Sequence, residues 1–372
     1  MKKGVYIIYN KITDTTGVNK KIHGQIEAFK KAGFEMKTVH MSTKYMPGWK
    51  ILYRLPFTNI LPHWRWFEEF ENCDFIYFRR PPFMNVPFLG MLKVIRKRNP
   101  NVKIIMEIPT YPYDREFIQI KRNIPLMIKD KIARGGVKRY IDAIAVLTED
   151  KEIFKIPAVR IRNGFDFSDI RLSKILESYA DIHIAACALF QEWHGYERLI
   201  NGLHQYYQNG GGRRIVLHFI GEGPELNTYK KLVKKYGLQS HAVFYGRKRW
   251  SEIMEIYDRC SLGASSLGVY KAGLDYLCAL KLREYLAAGL PIIGAGRLDV
   301  MEVDALKPYV CCFANNSSVL PVEQVICFHD SLYLGKKAAQ IRNMMQTIQD
   351  ETEKNFNMDS AMKNVVNEIQ AG

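Results

Sequence analysis

The sequence predicts an α/β protein made of two doubly wound, parallel-sheet domains in series. Three observations carry this. Short apolar runs of strand length alternate with segments of helical period along most of the 372 residues. Glycines recur directly after the apolar runs, where a chain leaving a strand must turn. The alternation pauses at the Asn163-Gly164 turn and restarts near Asp181. A length of 372 residues suits two domains of about 100–200 residues each.

The first half opens with the apolar run Val5–Tyr9, read as a buried strand. Gly17 lies in the loop after it. Residues 18–32 place Val18, Ile22, Ile26 and Phe29 near helical spacing, and Gly33 stops that helix. Phe34–His40 completes one βαβ unit. Asp74–Phe78 has the β-rich pattern FIYF and is closed by Pro81 and Pro82. A helix is expected over Phe88–Lys97, a strand over Asn101–Glu107, a basic helix near 124–140 and a strand over Asp142–Leu147. Pro157–Ile161 leads out to the Asn163-Gly164 turn.

The second half repeats the grammar. Strands are expected at Asp181–Cys187, Ile215–Ile220, Ala242–Tyr245, Cys260–Ala264 and Leu290–Ile293. Helices are expected at Tyr196–Gln208, Leu226–Tyr236, Trp250–Arg259 and Leu280–Ala288, and 331–372, which has no Pro, reads as helical. Ligands of such sheets sit beyond the carboxyl ends of the strands, so the loops there are the candidate sites.

Composition narrows the class. The chain is 47% hydrophobic and 12% aromatic, ample for large cores. The start MKKGVYIIYN reads as a strand and not as a signal peptide, and no run approaches the roughly 18 apolar residues that span a bilayer. The seven cysteines form no CxxC pair, which suggests reduced thiols and a cytoplasmic protein, with no zinc site. Charge is uneven. Residues 1–165 hold 31 Lys+Arg against 15 Asp+Glu, and residues 166–372 hold 23 of each, so the whole formal excess of +16 lies in the first half. A basic half beside a neutral half points to an anionic surface for the first domain. Residues 44–67 mix Lys44, Lys50, Arg54 and Arg65 with Trp49, Tyr53, Phe57, Trp64, Trp66 and Phe67. That mixture suits a headgroup interface, so peripheral contact with the inner face of a membrane is expected there.

Several residues have the chemistry of a nucleotide site. Gly221 and Gly223 follow a strand and precede a helix, where backbone amides can approach an anion. The spacing is not that of a GxGxxG fingerprint. Ser266 lies in a loop able to offer hydroxyls and amides. Lys281 and Arg283 could neutralise a diphosphate, and Glu284 could accept hydrogen bonds from the two hydroxyls of a ribose.

At this point the chain resembles a known family, glycosyltransferase family 4, of the two-Rossmann GT-B fold. The signals occur in order. They are Gly17 in the first loop, Arg162-Asn163-Gly164-Phe165-Asp166 at the domain junction, and Gly221–Leu226 (GEGPEL) with Gly237-Leu238 and Val243–Gly246. Ile256-Tyr257-Asp258 and Leu282–Pro291 (LREYLAAGLP) follow. The departures are specific. The first glutamate of the family's E-x₇-E falls on Tyr276. The family's phosphate-binding Arg and Lys fall on Leu189 and His194. The histidine-bearing acceptor motif is replaced by Glu107–Asp114.

The resemblance implies two Rossmann-like domains facing across a cleft. Residues 1–164 would form the acceptor side, 165–350 would bind the nucleotide sugar, and 351–372 would be a helix packing back toward the first domain. It implies a retaining, metal-independent hexosyl transfer from a nucleoside-diphosphate sugar, UDP-linked for example, with no resident cofactor or metal. A glycan or lipid-linked saccharide would be the acceptor. Gly17, His194, Gly221, Gly223, Ser266, Lys281 and Glu284 are then the expected donor contacts. Lys281, Glu107 and Asp114 are the expected catalytic groups, the two acids as candidates for a covalent route. Two other classes fit parts of the sequence: a sugar-nucleotide epimerase of the same fold, and a basic nucleic-acid-binding module. The charge has no helix-turn-helix, zinc or RNA-binding signature beside it, so no nucleic acid is expected.

Overall fold

The computed structural model describes residues 1–9, 17–41, 68–114 and 123–371, with backbone only for 17–20. The chain forms two compact units, Met1–Asp166 together with Met358–Gly372, and Phe167–Asn357. Each is a Rossmann-like α/β unit.

The first unit runs β1 (Lys3–Ile8), α1 (Gly17–Lys31), β2 (Glu35–His40), β3 (Phe75–Arg79), α2 (Val86–Arg98), β4 (Lys103–Ile108), α3 (Ile124–Val137), β5 (Ala143–Val146), β6 (Glu152–Ile153) and β7 (Ile156–Arg160). Its sheet has the order β2-β1-β3-β4-β5-β7-β6. Every pairing is parallel except β6 with β7. Helices cover the sheet, so β1, β3, β4 and β5 are near-continuous apolar runs rather than alternating ones. Asn85 starts α2 by accepting the Phe88 amide at 2.9 Å. The chain's last helix, Met358–Ala371, belongs to this unit and lies on α1, with Met358 against Gly24. Lys2 Nζ donates to the Ile369 carbonyl at 2.7 Å, and Lys103 Nζ pairs with the Glu368 carboxylate at 2.7 Å. Both cations sit at that helix's C-terminus, where its dipole favours them.

The second unit runs β8 (Ile182–Cys187), α4 (Tyr196–Gln208), β9 (Ile215–Ile220), α5 (Leu226–Lys235), β10 (Ala242–Gly246), α6 (Trp250–Tyr257), β11 (Leu262–Ala264), β12 (Tyr276–Leu277), α7 (Leu280–Ala287), β13 (Ile292–Ala295), β14 (Arg297–Leu298), β15 (Val310–Phe313), α8 (Val322–Tyr333) and α9 (Ala338–Phe356). The Met358–Ala371 helix is α10. The main sheet is parallel, in the order β10-β9-β8-β11-β13-β15, and β12 pairs with β14 beside it.

The stretch 331–372 is helical as read, in three pieces: α8 begins at Val322, a turn at Gly335 separates it from α9, and α9 ends at Phe356 before α10. Two expectations change here. The strand expected at Leu290–Ile293 is Ile292–Ala295, because Leu290 and Pro291 complete the turn after α7. β15, whose VCCF is short and half-exposed, has no counterpart in the sequence reading. The segment 44–67 lies outside the described residues. Among the described residues no helix is long and apolar enough to cross a membrane.

Arg283 departs from its expected role. It is wholly buried, with Nη1 2.8 Å from Asp299 Oδ1 and Nη2 on Oδ2, and its guanidinium lies 4.1 Å from the Phe356 ring centroid. A planar fork on a carboxylate is a bidentate pair that leaves little for a ligand. Breaking such a pair from one side strands a buried charge. Asp299→Ala should therefore lower the unfolding free energy by about 3–5 kcal/mol, read from the urea midpoint. A midpoint equal to wild type would show that the pair is not what holds α7 down.

Candidate functional site

In the second unit the chain moves outward from β8 through β9 to β10, then returns to β11 on the other side of β8. The loops after β8 and β11 therefore part at the sheet's switch point, where open α/β sheets take their ligands. Here they are held in direct backbone contact. A Cβ on Gly195 would fall 2.4 Å from the Gly268 amide nitrogen, and Gly195 has φ +63°. The Leu267 amide donates to the His194 carbonyl at 2.7 Å. Arg198, buried on α4, fastens the same region. Its Nη1 donates to the Leu267 carbonyl, and its Nε donates to the Ser318 carbonyl at 2.7 Å.

The glycine loop after β9 is pressed onto the loop after β8. Gly221 and Gly223 have φ +127° and +143°, and a Cβ on either would lie 2.0 or 2.4 Å from the carbonyls of Ala188 and Phe190. No side chain fits at those two places, so the reading of a close backbone turn there has a steric cause.

Four of the expected donor contacts cluster around this contact. His194 Nδ1 accepts the Gln191 amide at 2.8 Å. The ring is buried, and burial together with the nearby Lys281 charge pushes its pKa down to about 3. It is neutral, with its proton on Nε2. Its ring stacks on Tyr196, centroids 5.8 Å apart. Lys281, in the first turn of α7, reaches the same tyrosine: Nζ is 3.4 Å from Tyr196 OH, which itself donates to the Ala264 carbonyl at 2.9 Å. Burial lowers the Lys281 pKa to about 7, partly offset by Cys187 and Glu284. Glu284 sits one helical turn on and acts electrostatically on Lys281 and Cys187. Ser266 is buried just past the end of β11, and its neighbour Ser265 carries a buried hydroxyl oxygen with no hydrogen-bond partner among the described residues.

The positions where the sequence departs from family 4 have their own surroundings. Leu189 is 67% exposed and offers no charge. Tyr276, on β12, donates its hydroxyl to Glu302 at 2.8 Å and so brings a carboxylate beside the strand that leads into α7. The sequence reading missed Glu302. Its only signal is a spacing of 26 residues, which no local pattern reveals.

The first unit's candidates are arranged differently. Gly17 is the first residue of α1. Glu107 is completely buried on β4. It accepts from Lys21 Nζ at 3.1 Å, Gln25 Nε2 at 2.7 Å and Tyr77 OH at 2.7 Å, with Arg79 Nε 3.5 Å away. Burial alone would raise its pKa, but Lys21, Arg79 and the two neutral donors prevail and hold it at about 2. A carboxylate so enclosed and so acidic stays ionised near neutrality, held by side chains of its own unit. Asp114 is 38% exposed and salt-bridged to Arg134, which keeps it ionised. Among the described residues, no group of three or more His, Cys, Asp or Glu side chains could hold a metal ion.

Residues 181–303 match the family model of the glycosyl transferases group 1. That span includes every second-unit candidate named above. No curated protein matches the chain by sequence. Among solved structures, the chain is similar to Anabaena HepE in complex with UDP, with TM-score 0.63, 13% identity and 100% of both chains covered. It is similar to sucrose-phosphate synthase from Thermosynechococcus elongatus, with TM-score 0.61, 12% identity and 100% of both chains covered. It is also similar to the lipopolysaccharide outer core galactosyltransferase WaaB in its apo form, with TM-score 0.61, 12% identity and 99% of both chains covered. At these identities the likeness is one of fold, and that fold is GT-B.

The Glu107 cluster makes an acid-stability prediction. Its folded pKa is depressed from 4.5 to about 2, so its contribution is complete above pH 4.5 and is lost as pH falls toward 2. The shift corresponds to about 3 kcal/mol. Glu107→Gln should lower stability near neutrality by about that amount and flatten the fall in stability below pH 4.5. Urea titrations of both proteins across that range would read it. Parallel acid profiles would show that the carboxylate is not ionised in the folded chain.

Proposed function

We propose that this chain is a nucleotide-sugar-dependent glycosyltransferase of the kind gathered in family 4. In this reading it moves a hexosyl group from a nucleoside-diphosphate sugar to a glycan or lipid-linked saccharide, with retention at the anomeric carbon and without a metal. The observation that carries the proposal is the meeting of Lys281, Glu284, His194 and the Gly221–Gly223 loop at the switch point of the second sheet, inside the segment that matches the group 1 model.

Each group has a task in that reading. Glu284 accepts hydrogen bonds from the ribose hydroxyls. The diphosphate lies against Lys281 Nζ, the Nε2–H of His194 and the amides of the glycine loop and Ser266. The C1–oxygen bond to the diphosphate breaks while the acceptor oxygen bonds to C1 on the same face. The acceptor's proton passes to the departing phosphate oxygen, and Lys281 stabilises the charge that collects there. A covalent route through Glu107 is disfavoured by its enclosure, and Asp114 remains the acid to test. The first unit is the acceptor side, the protein works in the cytoplasm against the inner face of a membrane, and nucleic acid is not a partner.

Two measurements test this. The first is a donor panel read by released nucleotide, with and without acceptor and in the presence of EDTA. One nucleotide sugar should be consumed only with acceptor, and Glu284→Gln should weaken its use by roughly 1.5–3 kcal/mol, about ten- to a hundredfold in kcat/KM. Consumption without acceptor would favour the epimerase, and loss of activity in EDTA would sink the metal-free mechanism.

The second is nucleoside-diphosphate affinity against pH. Lys281 has a free-state pKa of about 7, and a bound anion raises it, so binding takes up a proton. Affinity should be full below pH 7 and fall by up to about tenfold per unit above it. Lys281→Met should remove that slope. A wild-type profile identical to the variant's would take Lys281 out of the diphosphate site.

A further inference from the structure

The first sheet has a switch point of its own, and a cationic cluster lies beside it. The chain leaves β1 for β2 on one side and returns to β3 on the other. The loops after β1 and β3 therefore part at the carboxyl edge between those strands. Arg79 is the last residue of β3, in register with Glu107 on β4. Lys21 lies on α1, the helix that follows β1. Lys21 Nζ and Arg79 Nε both approach the same oxygen of Glu107, Oε1, at 3.1 and 3.5 Å. The other oxygen is filled by two neutral donors, Gln25 Nε2 and Tyr77 OH, each at 2.7 Å. Tyr6 OH in turn holds Gln25 by donating to its Oε1 at 2.7 Å.

The cluster does not balance its own charge. Among the described residues, Glu107 is the one carboxylate paired with Lys21 or with Arg79. Two cations on one carboxylate leave a positive excess, in a place where Lys21 is 7% exposed and Glu107 not at all. A buried charge without a counter-ion is costly. Arg79 also has donors to spare. Its Nη1 is buried and has no hydrogen-bond partner among the described residues. Its side chain is 20% exposed, so the guanidinium is the part of the cluster that reaches the surface. Arg80 is engaged elsewhere: Nη1 donates to the Pro81 and Pro82 carbonyls at 3.0 and 2.9 Å, and the guanidinium lies 3.8 Å from the Tyr113 ring centroid. A planar fork beside an ammonium group matches a phosphate ester, which brings three acceptor oxygens and about two negative charges near neutrality.

We propose that Arg79 and Lys21 bind a phosphate group at the switch point of the first sheet. The site is read from the first unit alone. Its assignment to the acceptor rests on the transferase reading, in which the first unit is the acceptor side and the acceptor then carries a phosphate ester. The full chain would be titrated by calorimetry with inorganic phosphate and, separately, with UDP, at one fixed ionic strength. Arg79→Gln should weaken phosphate binding by at least about tenfold and leave UDP affinity at wild type. Lys281→Met should weaken UDP and leave the phosphate binding that depends on Arg79. Phosphate should raise the melting temperature of the wild-type chain and not that of Arg79→Gln. Arg79→Lys keeps a cation beside Glu107 and loses the fork, so it should melt near wild type and bind phosphate several-fold more weakly. Equal phosphate affinity in wild type, Arg79→Gln and Arg79→Lys would overturn the proposal. So would the absence of phosphate binding by the wild-type chain, or its complete loss in Lys281→Met. A loss of UDP affinity in Arg79→Gln as large as the loss for phosphate would also overturn it, by giving both cations to the nucleotide. Phosphate binding that needs Arg79, in a chain that binds no nucleoside diphosphate, would keep this site and remove the transferase reading.

Discussion

The backbones of Gly195 and Gly268 touch where the second sheet divides, and the candidate site is organised around that contact. Neither position can carry a Cβ without a backbone collision at under 3 Å. The contact fixes His194 one residue before it and Tyr196 one residue after it. Tyr196 in turn supports the ring of His194 and the ammonium of Lys281. Arg198 then locks the far side by donating to carbonyls of the Gly268 loop and of one further loop, the one after β15. A rigid scaffold of this kind holds polar groups in place before a ligand arrives, which is how electrostatic stabilisation avoids reorganisation during reaction.

The second unit is sparing with positive charge at that place. Arg283 is spent on Asp299, Arg198 on carbonyls, and Leu189 stands where a cation would be expected from the resemblance. His194 is neutral, and Lys281 sits with its pKa near 7. The cluster therefore holds a neutral imidazole and a lysine whose proton affinity burial lowers, with the Glu284 carboxylate partly offsetting it. The first unit does the opposite. It gathers Lys21 and Arg79 around a single buried carboxylate and turns its surplus lysines outward on α2 and α3.

Much of the architecture was legible locally. Apolar runs at Val5–Tyr9, Ile215–Ile220 and Asp142–Leu147 became strands because a strand buried on both faces needs an unbroken apolar run. The helix over Tyr196–Gln208 was read to its end residues because its period is strong. The short β15 and the start of α8 were not legible. VCCF is four residues long, and its place is fixed by pairing with β13 rather than by its own pattern.

The sequence by itself determined the strand–helix alternation, the need for glycine at Gly221 and Gly223, and the charge asymmetry, since these depend on residue type and near neighbours. Only the tertiary structure decided which charged residues are enclosed in the core and which reach the loops at the switch point. Lys281 and Arg283 lie two residues apart on α7, about 200° around the helix, so packing turns one toward Tyr196 and the other into the core on Asp299. Glu107 ends a strand and read as a site acid, yet its partners Lys21 and Gln25 come from 86 and 82 residues away. A carboxylate's role is set by the charges and donors within a few ångströms, and those are assembled by long-range packing that no local pattern of residues records.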